Sequence, residues 1–431
     1  MRTTLQAITA KSNRQQDYRF RNLYRLINEE NLFYAWSLLN KNSAVGVDKV
    51  TAREYGQNLK ENIKNLADRL KKHSYQAMLV KRVYIPKSKD KVRPLGLPSL
   101  EDKLVQIVVA KILSAIFEPA FLSSSFGYRP DRGPQDAVLE MTDTLYGNRH
   151  NYVVEADIKG YFDSIEHGWL VKMLEEKIAD VQFVRLIVKW LKAGILEPSG
   201  GVIHPLTGTP QGGIVSPVLA NIYLHYALDL WFERVVKKRC EGKTYIIRFA
   251  DDFVCSFQYK RDAQKFYGAL PKRLEKFGLS VAPEKTRILS FSRYKPDGST
   301  SFDFLGFEYR WVLNPKNQPV IRRRTSRKKL RASIQHFQQW CREHRNDRLK
   351  KFFDLVNAKF RGYYNYYGVI GNSLSLTQFH RIAEATMFKW LNRRSQRRSF
   401  NWTEFRRTLD RYVTVKPHVH QRNLPIQLRF K

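Results

Sequence analysis

The chain has 431 residues, 43% of them apolar and 13% aromatic, which is enough to bury more than one core and excludes wholesale disorder. Its 76 Lys and Arg against 40 Asp and Glu leave a formal charge of +36, an excess that repels itself unless a polyanion is near. Cys240, Cys255 and Cys341 lie too far apart for a Cys-ligated zinc and are odd in number, which speaks against a disulfide framework and suits a reducing cytosol.

Tyr24–Leu39 and Ala52–Lys72 carry apolar residues at helical spacing. Lys81–Pro86 alternates like a strand, Lys87–Arg93 reads as a basic turn, and Leu100–Phe117 reads as a helix with a broad apolar face. The most apolar long stretch, Val105–Leu122, includes Lys111 and Glu118 and falls short of a clean span of about 20 residues. Met1-Arg2-Thr3-Thr4 leads into a polar segment without a signal-peptide core, so we expect no membrane partner and a cytoplasmic location, in a bacterial-type cytosol or nucleoid. Asn151–Ile158 reads as a buried strand, Gly168–Ala179, Val181–Lys192 and Pro217–Val236 as helices, and Tyr245–Phe257 as a hairpin broken by Ala250-Asp251-Asp252. Residues 310–431 hold 29 Lys and Arg against 6 acids, a composition shift that suggests a domain boundary. Beside it, Pro315-Lys316-Asn317-Gln318-Pro319 reads as a linker, with mainly helical structure after it.

Asp157 ends one run of β-formers, and Asp251 with Asp252 follows another. Acids at a strand end and in a hairpin turn converge when the two strands are neighbours. Carboxylates brought that close repel unless a cation lies between them. A pair of magnesium ions, with manganese as a substitute, meets that need and supplies phosphoryl-transfer chemistry. Taken alone, Asp-Asp reads more readily as a polar hairpin turn.

The order of segments decides between the two. Asp157-Ile158-Lys159-Gly160-Tyr161-Phe162-Asp163 is followed by Gly208-Thr209-Pro210-Gln211-Gly212-Gly213, then Arg248-Phe249-Ala250-Asp251-Asp252, Glu284-Lys285-Thr286 and Phe304-Leu305-Gly306-Phe307. The series resembles the palm of reverse transcriptases, specifically those encoded by group II introns. Ile85-Pro86-Lys87 with Arg93-Pro94-Leu95-Gly96, Ser125-Phe126-Gly127-Tyr128-Arg129-Pro130 and Gly46-Val47-Asp48 extend the likeness over roughly residues 22–411.

The resemblance implies an α+β right-hand polymerase architecture of fingers, a palm with an antiparallel sheet, and a helical thumb. Residues 1–80 would form an N-terminal extension and the start of the fingers, 81–310 fingers and palm, 311–370 the thumb or maturase domain, and 371–431 a basic nucleic-acid-binding region. Asp157, Asp251 and Asp252 would be catalytic and hold the metals, with the backbone carbonyl of Ile158 completing one coordination sphere. Lys87, Arg93, Phe162, Gln211 and Lys285 would handle the nucleotide. Phe162 occupies the position of the steric gate against a ribose 2′-hydroxyl; from spacing alone it is equally a core Phe. Lys87 and Arg93 would meet the triphosphate. Phe249 departs from the family's usual Tyr before Ala-Asp-Asp, so a hydroxyl contact is lost there.

Arg322, Arg323, Arg324, Arg327, Lys328 and Lys329 are dense enough to condense on phosphates, and Arg393, Arg394, Arg397 and Arg398 resemble a further RNA-binding helix. Phe360-Arg361-Gly362-Tyr363-Tyr364-Asn365-Tyr366-Tyr367-Gly368 reads as core between helices before it reads as a stacking surface for bases. His418-Val419-His420 lacks nearby Cys pairs, so the chain is expected to be of the endonuclease-lacking type. The expected activity is RNA-directed DNA synthesis from a DNA or RNA primer with dNTPs, joined to maturase binding of a group II intron RNA. A splicing cofactor with incidental polymerase, or a domesticated or defence-associated reverse transcriptase, are the alternatives.

Overall fold

The computed structural model describes residues 1–88, 91–147, 149–209, 211–296, 298–394 and 399–419. The chain divides into two compact units: 1–133 with 154–255 and 261–287, and 134–153 with 256–260 and 288–431.

In the first unit, β1 (Val80–Ser88) and β2 (Lys91–Leu97) form a long antiparallel hairpin. The expected basic turn is therefore mostly strand: Ile85 pairs with Arg93 and Pro86 with Val92, because apolar and polar residues go on alternating into the second arm. Helix Leu100–Phe117 starts where the Ser99 side chain accepts from the Asp102 backbone N–H, and its apolar residues cover nearly its whole circumference, so it is buried along most of its length. The helix expected over Ala52–Lys72 is two, Ala52–Gln57 and Leu59–Lys71, parted at Asn58. A capping box between Thr51 and Glu54 starts the first. The strand expected over Asn151–Ile158 is β3 (Tyr152–Ala156). Two short strands, β4 (Ile195–Leu196) and β5 (Val202–Ile203), complete a sheet of order β2-β1-β4-β5.

The expected helix Pro217–Val236 is α-helical over Ser216–Leu224 and at Leu230 and Trp231, and widens into π-turns at His225–Asp229 and Phe232–Val236. The expected hairpin is present as β6 (Thr244–Phe249) and β7 (Asp252–Phe257). With β3 and β8 (Arg287–Ser290) these strands make a four-stranded sheet of order β6-β7-β3-β8.

The second unit contains a three-stranded antiparallel sheet, β9 (Ser301–Phe304), β10 (Phe307–Leu313) and β11 (Pro319–Thr325), ordered β11-β10-β9. The segment expected as a linker, Pro315–Pro319, is instead the turn of the β10–β11 hairpin. Leu313 pairs with Pro319, the Gln318 carbonyl accepts from the Asn314 N–H, and Asn317 takes the left-handed conformation that Asn tolerates. Helices Arg327–His344, Leu349–Tyr367, Ser373–Leu391 and Trp402–Arg411 follow. Phe337, Phe352, Phe360, Tyr364, Phe379 and Met387 meet in their core, and Tyr363 stacks on Phe379 with ring centroids 3.9 Å apart. The aromatic run after Phe360 is thus chiefly packing.

Candidate functional site

The β6–β7 hairpin is closed by Ala250 and Asp251, and Asp252 is the first residue of β7. Ala250 sits at φ +57°, a left-handed conformation unusual for a residue with a Cβ. At the far end of the sheet the Asn151 N–H donates to the Phe257 carbonyl at 2.9 Å. Counting neighbouring strands β3 and β7 back from that bond brings Asp157, just past the end of β3, level with the Asp251–Asp252 turn. Two acids from a hairpin and one from an adjacent strand end thereby share one end of the two central strands.

The Lys285 ammonium already stands at that end of the strands. Residues 280–282 lie along 157–159, the Ala282 N–H donating to the Asp157 carbonyl at 2.8 Å and the Lys159 N–H to the Ser280 carbonyl at 2.9 Å. The following 3-10 turn, Pro283–Lys285, swings the Lys285 ammonium onto the Asp157 carboxylate, where it forms an ion pair. The hydrogen bond to Asp157 raises the Lys285 ammonium above its ordinary value against partial desolvation, and the charges of Asp157, Glu284 and Asp252 add to the rise. Lys285 thus senses both Asp157 and Asp252. Ile158, buried, lies in the same backbone pairing opposite Val281.

Among the described residues no group of three or more His, Cys, Asp or Glu side chains is drawn together tightly enough to cage an ion unaided. Magnesium does not require such a cage: it keeps water and binds through one or two carboxylates together with substrate phosphates. A strand end carrying Asp157, Asp251 and Asp252, with the Lys285 ammonium paired to Asp157, fits that mode.

Of the other expected nucleotide-handling residues, Phe162 and Arg93 connect to the acids through Tyr128. Phe162 lies in the 3-10 turn Tyr161–Asp163 after Gly160, and its carbonyl accepts from the Thr209 N–H at 2.8 Å. Its ring meets Tyr128 edge-on at 6.3 Å. Burial raises the Tyr128 hydroxyl, Asp251 and Asp252 raise it further, and Arg93 opposes them, so this ring is within electrostatic reach of all three charges. Arg93 lies exposed on β2. Three residues on, the Gly96 N–H donates to the Gln211 carbonyl. Gly212 sits at φ +111° with its α-carbon so near β2 that a Cβ would lie 2.4 Å from the Gly96 oxygen. The β2 arm and the Gln211 loop are thereby locked together. Lys87 belongs to β1; its side chain is outside what the structure describes.

The basic residues of the second unit divide. Arg327, Lys328 and Lys329 are exposed on the first turn of their helix, and Arg322 is exposed on β11. Arg322, Arg324, Arg327 and Arg331 line an open cleft of about 720 Å³. Arg324 also pairs with buried Glu308, as does Arg310; burial alone would raise the Glu308 carboxyl, but hydrogen bonds from the two guanidiniums bring it below its usual range. Arg323 departs from expectation. Strand alternation turns it inward, it is only 7% exposed, and it donates to the Ile370 carbonyl at 3.0 Å, so it is not offered to a polyanion. Arg393 is exposed, and Arg394 donates to the Asp347 carbonyl at 3.0 Å. Arg397 and Arg398 lie outside the described residues. No described helix is long and apolar enough to cross a membrane.

Sequence reasoning passed over Tyr128, whose ring meets Phe162 only through the fold.

A family model described as reverse transcriptase (RNA-dependent DNA polymerase) matches residues 85–309. The group II intron-encoded protein LtrA of Lactococcus lactis subsp. cremoris is 29% identical over 471 residues, covering 89% of this chain and 76% of that protein. Protein YkfC of Escherichia coli (strain K12) is 32% identical over 296 residues, covering 61% and 74% respectively. An uncharacterized 91 kDa protein in the cob intron of Schizosaccharomyces pombe is 36% identical over 286 residues, covering 64% of this chain and 35% of that one.

Proposed function

Because the chain belongs to the reverse transcriptase (RNA-dependent DNA polymerase) family, we propose that it extends a primer 3′-hydroxyl with dNTPs on an RNA template, and that it also binds a group II intron RNA as a maturase. What supports the polymerase reading is that Asp157 lies level with the Asp251–Asp252 turn at one end of the neighbouring strands β3 and β7, with the Lys285 ammonium paired to Asp157.

In the proposed reaction the primer 3′-oxygen attacks the α-phosphorus of the dNTP. A new phosphodiester bond forms, the bond from that phosphorus to the bridging oxygen breaks, pyrophosphate departs, and the hydroxyl proton passes to solvent. Asp157, Asp251 and Asp252, with the Ile158 carbonyl, would hold two magnesium ions, which when bound neutralise phosphate charge and lower the pKa of the attacking hydroxyl. Lys285 is proposed to leave Asp157 for the departing pyrophosphate, exchanging one anionic partner for another. Arg93 and Lys87 meet the triphosphate, the Gln211 loop backs the nucleotide, and Phe162 closes the space where a 2′-hydroxyl would fit. Arg322, Arg327, Lys328, Lys329 and Arg393 are proposed to bind RNA phosphates.

Replacement Asp251→Ala is expected to lower cDNA synthesis on a primed RNA template by ~10²–10³-fold, the scale of losing a principal electrostatic stabiliser, with RNA affinity unchanged. Equal synthesis by the two proteins would remove the assignment. Splicing of the intron RNA with the same variant separates the two proposed activities: it should persist if maturase binding is independent of the acids.

A further inference from the structure

Behind the acidic turn lies an ion pair that touches no solvent. Arg248, the last but one residue of β6, and Asp229, at the end of the first π-turn, each have side chains 1% exposed. The guanidinium uses every one of its five N–H groups. Nε and one terminal nitrogen form a fork on the Asp229 carboxylate at 2.7 and 2.6 Å, and that terminal nitrogen also donates to Ser125 Oγ at 2.7 Å. The other donates to Asn221 Oδ1 at 3.0 Å and to the carbonyl of Ala250 at 2.9 Å. Asn221 in turn donates to the Gly127 carbonyl at 2.6 Å. Residues 124–126 run beside Arg248, the Arg248 N–H donating to the Ser124 carbonyl and the Phe126 N–H to the Arg248 carbonyl. A Cβ at Gly127 would lie 2.3 Å from the Ala250 nitrogen.

A buried pair of this kind seldom adds net stability over apolar residues of similar volume. What it adds here is direction. Ala250 is held left-handed, a conformation that a residue with a Cβ keeps only where its surroundings over-determine it. One guanidinium N–H fixes its carbonyl from within, and the Gly127 backbone closes on it from the other side.

We infer that Arg248 and Asp229 are positioning residues which hold the Ala250 carbonyl and so set where the Asp251 and Asp252 carboxylates point. The inference rests on the reading of those acids as the metal-holding pair. Neither residue touches substrate; both act through the turn.

The double variant Arg248→Met/Asp229→Leu removes both charges at similar volume and leaves the Ala250 carbonyl without its donor. Misplacement by about an ångström at a reacting centre costs on the order of 100-fold, so kcat for primer extension should fall by about that factor, with KM for dNTP and RNA affinity within about threefold of wild type. Mn²⁺ binding to the nucleic-acid-free protein, followed by the loss of free-ion electron paramagnetic resonance signal, should weaken at least about fivefold in parallel. Asn221→Ala, which keeps the ion pair but removes one acceptor and the tie to Gly127, should show the same two changes more weakly, and it carries the test if the double variant is not recovered folded. A folded variant with wild-type kcat and Mn²⁺ affinity would overturn the inference, as would a loss confined to the melting temperature. The Asp251→Ala protein in parallel keeps the two readings apart. If it remains active, the acids are misassigned; if it is inactive while these variants are not, only the positioning role fails.

Discussion

Phe162 occupies a place where a ring has to be held if it is to exclude anything. Its backbone is pinned by the Thr209 N–H, its ring is met edge-on by Tyr128, and Tyr161 beside it is anchored by a hydroxyl donating to the Ala220 carbonyl. These contacts hold the Phe162 ring in place, as the proposed gate would need. Phe162→Ala should therefore lower the ratio of kcat/KM for dNTP over rNTP on the order of 100-fold, mostly by admitting ribonucleotides, since one pocket-wall group is worth about 10–200-fold in selectivity. Steady-state incorporation of dGTP and GTP against a template C reads this ratio; an unchanged ratio would return Phe162 to the core. At this scale the three acids and Phe162 could be proposed from sequence because they stand in short contiguous motifs. Arg248 was visible in the same motif as Asp251, yet nothing local told that its side chain runs inward to Asp229, Asn221 and Ser125. Arg323 failed for a related reason: a run of three arginines on a strand must send the middle one to the opposite face from its neighbours.

Elements were most legible where burial is one-sided or complete, as in Leu100–Phe117 and the β6–β7 hairpin. They were least legible where a helix departs from regular geometry. The apolar periodicity from Pro217 onward continues through both π-turns, so the widened turns that carry His225 and Asp229 leave no mark in the spacing. The β10–β11 turn was misread because Pro and Asn punctuate hairpins and linkers alike. The loop carrying Gln211 shows how much a single position can demand of an element. Gly212 needs both its φ of +111° and the absence of a Cβ against the Gly96 oxygen, so a side chain there is opposed by backbone strain and by collision together. Gly212→Ala should push the loop off β2, raising KM for dNTP by about tenfold or more while destabilising the fold by only ~1–3 kcal/mol. Nucleotide kinetics beside a denaturant melt would measure both. A purely structural loop would show the second change without the first.

For the whole molecule the governing quantity is charge. Residues 310–431 carry 29 Lys and Arg against 6 acids, and within the second unit several of these cations gather about one open cleft instead of spreading evenly. Binding of a polyanion there releases condensed counterions, so the logarithm of RNA affinity should fall linearly with the logarithm of salt, by about 0.7 per phosphate neutralised on a single strand and about 0.9 on B-form duplex. The structure divides the arginines and lysines into those that can contribute to that slope and those that cannot. Arg327, Lys328 and Lys329 are exposed on one helical turn, and replacing all three by Gln should flatten the slope by about 2. Arg323 is enclosed beside β10 and hydrogen-bonded to the Ile370 carbonyl, so Arg323→Met should leave the slope untouched and register in thermal stability alone. Filter-binding isotherms across a range of KCl concentrations test both variants. Were Arg323→Met to flatten the slope as the triple variant does, β11 would have to present a different face to RNA from the one its alternation dictates.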